Sequence, residues 1–217
     1  MLLQNVEHYV EQLIPKRNEL IEEMEHYAQE HGVPIMELIG IETLLQLLRL
    51  YNPERILEIG TAIGYSAIRM VTALPDTKVV TVERDEERYE KALHFIERAN
   101  KANQIHTLFG DAFDLHEQIV AEGPYDTVFI DAAKGQYQRF FELYVPLLKE
   151  GGVIISDNVL FKGYVAQDVE EIKTRGARSL TRKLQAYNEW LMNHPGFYTT
   201  ILPIGDGIAI SIKRGDK

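Results

Sequence analysis

Leu57-Glu58-Ile59-Gly60-Thr61-Ala62-Ile63-Gly64 decides the reading of this chain. The run Arg55-Ile56-Leu57-Glu58-Ile59 is short, largely apolar and followed by a glycine, the pattern of a buried parallel strand. Gly60 lets the backbone turn sharply and leaves room for a ligand where a side chain would block it. Gly64 allows the next helix, starting near Tyr65, to pack close to the strand. The spacing is Gly-x-x-x-Gly, without the middle glycine of a dinucleotide site, so the turn is poorly suited to cradling a pyrophosphate. A nucleoside cofactor without phosphates suits it better. Alone, the same spacing also describes an ordinary tight strand–helix turn.

Working outward, Lys78-Val79-Val80-Thr81-Val82 closes on Glu83, whose carboxylate can accept two hydrogen bonds from a ribose diol. Phe109-Gly110-Asp111-Ala112 closes a third strand, where Asp111 could accept from an adenine amino group. The ordered set Glu58, Gly60, Gly64, Glu83 and Asp111 predicts a nucleoside site, read as one for S-adenosylmethionine. The remaining strands fall near residues 105–110, 127–131 and 151–157, with helices between, which predicts an α/β fold with a doubly wound parallel sheet. Two last strands, near 199–204 and 207–213, are separated only by Gly205-Asp206-Gly207. So short a link makes a hairpin and turns the final strand antiparallel. The first 50 residues read as three helices, with apolar stripes at Val6, Val10, Leu13 and Ile14, then Leu20, Ile21, Met24 and Tyr27, then Leu38, Ile41, Leu44, Leu45 and Leu48. Pro15, His31-Gly32 and Asn52-Pro53 punctuate them.

Ligands of an open parallel sheet sit beyond the carboxyl ends of its strands. Thr127-Val128-Phe129-Ile130 ends in Asp131, and Val153-Ile154-Ile155-Ser156 ends in Asp157 and Asn158. Two carboxylates and an amide are the ligand chemistry of a hard cation such as Mg²⁺. The competing reading makes Asp131 and Asp157 helix caps. Lys134, three residues after Asp131, could take a proton from an acceptor hydroxyl, orient it, or simply be a solvated lysine on a first helical turn.

The 217 residues fit one domain, read as a helical cap over residues 1–50 on a core over 51–217. There is no cysteine, which excludes disulfides and thiolate metal sites. No apolar run is long enough to span a membrane, and no basic n-region precedes an apolar core, so the expectation is a cytoplasmic protein. The net charge of −10 argues against non-specific binding to DNA or RNA. The charge is uneven: residues 1–50 hold nine glutamates against Lys16, Arg17 and Arg49, whereas residues 172–183 hold Lys173, Arg175, Arg178, Arg182 and Lys183 with no acid. No Ser-His-Asp or Cys-His set stands out, and the seven histidines show no ligand spacing.

Leu57-Glu58-Ile59-Gly60-Thr61, Gly64-Tyr65-Ser66, Glu83, Gly110-Asp111-Ala112, Asp131-Ala132-Ala133-Lys134, Asp157-Asn158 and Pro203-Ile204-Gly205-Asp206-Gly207 jointly resemble the Mg²⁺- and S-adenosylmethionine-dependent O-methyltransferases, which include catechol and caffeoyl-CoA methyltransferases. The resemblance spans about residues 33 to 214. It implies a seven-stranded Rossmann-like sheet, often in a homodimer, with Asp131, Asp157 and Asn158 on the metal. It also implies cofactor contacts from Met36, Glu58, Gly60, Thr61, Ser66, Glu83, Asp111, Ala112 and Asp131, with Lys134 near the acceptor. Within the family the chain looks most like the bacterial enzymes that methylate 5-hydroxyuridine at the tRNA wobble position, whose 5-hydroxyl and 4-oxo groups can chelate a metal as a catechol does. A tRNA anticodon partner would meet Arg175, Arg178 and Arg182, one face of a helix if residues 170–190 are helical. The same face could instead be solvated, or pair with the acidic helices of a dimer partner. The alternative acceptor is a small catechol or phenylpropanoid-type molecule.

Overall fold

The computed structural model describes residues 2–215, with side chains from residue 5 onward. Its strands are β1 (Arg55–Ile59), β2 (Lys78–Glu83), β3 (Ile105–Phe109), β4 (Tyr125–Ile130), β5 (Leu148–Ser156), β6 (Phe197–Leu202) and β7 (Ile208–Lys213). They form one sheet in the order β3-β2-β1-β4-β5-β7-β6. The first five are parallel, and β7 is antiparallel to both β5 and β6. The last strand therefore inserts between β5 and its own hairpin partner, leaving β6 at the edge. The strand order reverses between β1 and β4, which opens a crevice at their carboxyl ends.

The helices are α1 (Leu2–Leu13), α2 (Glu19–His31), α3 (Leu38–Tyr51), α4 (Tyr65–Ala73), α5 (Glu86–Arg98), α6 (His116–Glu122), α7 (Tyr137–Tyr144) and α8 (Arg175–Met192). Two apolar layers flank the sheet. One joins Met24, Ile41, Leu44 and Leu48 to Ile56, Ile68, Phe95 and Phe129. The other joins Leu57, Val128 and Ile154 to Tyr137, Phe141, Leu184 and Tyr187. Each central strand is thus buried on both faces, as its unbroken apolar run demands.

Residues 1–50 do not behave as one cap. The α2 and α3 stripes share a single core with the sheet. Polar contacts pin them further: Arg17 pairs with Glu25 at 2.6 Å, the Tyr65 hydroxyl donates to Glu25 at 2.7 Å, and Arg69 donates to that hydroxyl at 2.9 Å and contacts Glu42. By contrast Val6, Tyr9, Val10 and Leu13 of α1 face solvent, 39–63% exposed. The helix considered over 170–190 starts only at Arg175, and the stretch before it holds two short 3-10 turns at Phe161–Ala166 and Val169–Glu171.

Because α2 and α3 share the sheet's core, Leu44→Ala should cost about 2–5 kcal/mol and lower the midpoint of one cooperative thermal transition. An early transition shifted alone in calorimetry would show the N-terminal helices to be a separable unit.

Candidate active site

Gly60 has φ +107°, and a Cβ there would sit 2.0 Å from the Asp131 carbonyl oxygen. The glycine is required by the close approach of the β4 end, which brings Asp131 against the first turn. Gly64 has φ +83°, and a Cβ there would meet Ala92 and Ile96 of α5 at 3.5 Å. Beneath the turn, Glu58 is fully buried. It accepts from the Ser66 and Thr81 hydroxyls, while Thr61 Oγ1 lies 2.6 Å from Thr81 Oγ1.

Above this turn lies a cleft of about 630 Å³. Among its lining residues are Met36, Gly60, Thr61, Ser66, Glu83, Asp111, Ala112, Asp131, Lys134 and Asn158, all expected from the sequence. Glu58 and Asp157 stand behind the wall, so Glu58 supports the turn instead of lining the cavity. Glu83 accepts from the backbone N–H groups of Ala62, Arg84 and Asp85 at 2.8–2.9 Å, which fixes its carboxylate at the β2 end. Asp111 accepts from Phe113 N–H at 3.0 Å. Sequence reading missed the wall opposite: Phe113 stacks on Phe140 at 4.7 Å, and the Arg139 guanidinium lies 4.2 Å over Phe113. Phe113 directly follows a flagged pair, but Phe140 and Arg139 reach it only through the packing of α7.

The acidic strand ends meet as follows. The β4–β5 register pairs Ile130 with Ser156. Pairing runs one residue further, since Asp131 N–H donates to Ile59 and Asp157 N–H to Ile130, each at 3.0 Å. Asp131 and Asp157 therefore leave neighbouring strands side by side. Neither caps a helix: the 3-10 turn at Lys134–Gln136 starts without a side-chain cap. Asn158 donates from Nδ2 to Asp157 and accepts at Oδ1 from Lys134 Nζ at 2.9 Å. Burial raises both aspartates above the usual carboxylate range, and for Asp157 the neighbouring Asp131 charge adds to it. Burial, then the Asp131 and Asp157 charges, hold the Tyr137 phenol well above its ordinary range, so it remains a donor.

Two converging carboxylates and an amide oxygen fit a hard divalent cation, whose charge would offset their mutual repulsion. Among the described residues no group of three histidine, aspartate or glutamate side chains converges on an ion site, so this set depends on the amide to complete it. The basic face divides. Arg175, Arg178 and Arg182 lie on α8, capped by Thr174. Arg178 donates to the Ile172 carbonyl at 2.8 Å, and Arg182 pairs with Glu170.

The family model described as O-methyltransferase matches residues 11–214. The chain belongs to that family. A flavonoid 3',5'-methyltransferase of Vitis vinifera is 32% identical over 205 residues, 92% of this chain and 86% of the relative. A Staphylococcus aureus structure, assigned provisionally as a caffeoyl-CoA O-methyltransferase, is 40% identical with a TM-score of 0.90, covering 95% of this chain and 98% of its own. A Bacillus cereus O-methyltransferase in complex with SAH is 28% identical with a TM-score of 0.82, covering 97% of each chain. These likenesses establish the seven-stranded methyltransferase fold. Among the described residues no helix of this methyltransferase is long and apolar enough to cross a membrane.

Burial pushes Glu58 up to about 7, against the lowering effect of the two hydroxyls. The folded state thus holds this proton more tightly than the unfolded chain. Through Glu58 alone, stability should fall by roughly 3 kcal/mol as pH rises from about 4.5 through 7. In urea unfolding at pH 5 and pH 8, Glu58→Gln should lose clearly less stability than the parent, the remaining loss coming from Asp131 and Asp157. Parallel losses in parent and variant would refute the assignment.

Proposed function

We propose that this protein transfers a methyl group from S-adenosylmethionine to one of two adjacent oxygens on a small aromatic acceptor of the catechol or phenylpropanoid type, with a divalent cation, Mg²⁺ by preference, at Asp131, Asp157 and Asn158. What supports the reading is that the ends of β4 and β5 leave Asp131 and Asp157 on neighbouring strands beside the cleft, with Asn158 in contact with Asp157. Of the relatives named above, the Vitis vinifera one is named for a flavonoid acceptor and the Staphylococcus aureus one provisionally for caffeoyl-CoA.

S-adenosylmethionine would supply a sulfonium-activated methyl, and the cation would lower the pKa of the acceptor hydroxyl and fix both oxygens. The protein contributes position. Glu83 would hold the ribose and Asp111 the adenine amino group, and Met36, Gly60, Thr61, Ser66 and Ala112 line the cleft that would receive them. The Phe113–Phe140 stack, covered by Arg139, closes one side and excludes water. Lys134 stands on the acceptor side, where as an ammonium it can orient the hydroxyl, or as a neutral amine, its own proton released to solvent, accept the hydroxyl proton. Alignment of the oxygen with the methyl then supplies much of the rate.

The second reading, methylation of 5-hydroxyuridine in the tRNA anticodon loop, needs the same chelation. It draws on Lys173, Arg175 and Lys183, which have no acidic partner among the described residues. Against it stands an acidic rim beside the loop that follows Asn158. There burial, and then Asp206, Glu7 and Glu11, raise Glu37 above its ordinary range. We also propose a cytoplasmic homodimer in which the exposed stripe of α1 meets a second copy; sedimentation of a monomer at micromolar concentration would count against it.

Asp157→Ala should lower methyl transfer at least 100-fold while calorimetry finds S-adenosylmethionine binding within about twofold of the parent. Full activity of the parent in excess chelator would defeat the metal assignment. Offered a 3,4-dihydroxyphenyl acid and tRNA bearing 5-hydroxyuridine side by side, the enzyme should turn over the small acceptor. If tRNA alone is methylated, and Lys173→Glu with Arg175→Glu weakens that at least tenfold, the second reading replaces the first.

A further inference from the structure

The four residues that follow Ile155 carry two of the three proposed ion ligands, and their backbone is not relaxed. Asn158 has φ +59°, a left-handed conformation that side chains other than glycine seldom adopt. Asparagine tolerates this conformation better than most residues, and packing around the segment adds to that preference.

Three side chains from beneath do so. Tyr137, the first residue of α7 and fully buried, donates its hydroxyl to the Asp157 carbonyl at 3.0 Å. Just before it in the chain, Ser156 Oγ lies 2.8 Å from the Tyr187 hydroxyl on α8. Just after Asn158, Asn188 of α8 donates from Nδ2 to the Val159 carbonyl at 2.9 Å. The Tyr137 and Tyr187 rings meet edge to face at 5.6 Å, so the anchors brace one another. From above, Val159 and Leu160 N–H donate to the Gly207 and Asp206 carbonyls at 3.0 and 2.8 Å. Asn158 is thereby held between anchored neighbours, with its side chain turned to Asp157 and Lys134.

We infer that Tyr137, Tyr187 and Asn188 are positioning residues that fix the main chain of Ser156–Val159 so that Asp157 and Asn158 meet Asp131 around a divalent cation. The inference rests on the metal reading above. None of the three touches the ion or the reacting atoms. They act as outer-layer groups do at metal sites generally, by fixing the orientation of the ligands. Through them, α7 and α8 are coupled to ion affinity although neither supplies a ligand.

Tyr137→Phe deletes one hydroxyl and keeps the ring. Calorimetric titration of the purified protein with Mn²⁺ should give a dissociation constant raised about 3- to 10-fold. Affinity for S-adenosylhomocysteine should be unchanged, and maximal methyl transfer should return as Mn²⁺ is raised. Tyr187→Phe, which leaves the Tyr137 hydroxyl in place, should shift the ion constant the same way and serves as the deciding variant if Tyr137→Phe does not fold. Lowered thermal stability with an unchanged ion constant in the folded variants would assign these residues a purely structural role and overturn the inference. Failure of the parent protein itself to bind Mn²⁺ would overturn the metal reading, and this inference with it.

Discussion

Two carboxylates leave adjacent parallel strands side by side in a partly dry cleft, and the rest of this molecule is arranged around that unfavourable pairing. Their proximity follows from the sheet: β4 and β5 pair in register up to Ile130 and Ser156, so the next residue on each must be a neighbour. Gly60 admits the β4 end against the first turn, since any Cβ there would collide with the Asp131 carbonyl. Like charges so placed raise each other's proton affinity. Lys134 offsets part of the cost from one side by way of Asn158, and a divalent cation is the group whose charge and oxygen preference would offset the remainder.

The nucleoside half of the cleft is built on a different economy of contacts. Glu83 spends three acceptor interactions on backbone N–H groups and is fixed before any ligand arrives. Glu58 is the counterpart below the surface, held by hydroxyls that stitch β1, β2 and α4 together. One carboxylate faces the cavity and the other supports it, so the two halves of the site respond differently to substitution.

Much of this was legible in the residues. Unbroken apolar runs ending in Gly or an acid gave β1, β2, β4 and the β5 end, because burial on both sheet faces leaves no alternation and polarity returns only at the strand tip. The short Gly205-Asp206-Gly207 link pointed to an antiparallel last strand. That β7 would insert between β5 and β6 was not legible, since pairing partners are a tertiary choice. The α1 stripe read like any core-facing helix, yet Val6, Tyr9, Val10 and Leu13 are exposed, because periodicity shows that a helix has an apolar face and not what covers it. The basic run was visible as composition. That Arg178 satisfies a local carbonyl and Arg182 pairs with Glu170 depends on the turns before α8, which carry no strong sequence signal. Tyr137, Tyr187, Asn188 and the Phe113–Phe140 wall are likewise products of helix packing.

The central claim is that Asp131, Asp157 and Asn158 gather around one ion beside the methyl donor. Anomalous diffraction from crystals grown with Mn²⁺ and S-adenosylhomocysteine tests it most directly. The account predicts a single strong peak touched by an oxygen of each of the three side chains. Electron density for all three side chains with no peak between them, in crystals where S-adenosylhomocysteine is bound, would contradict it.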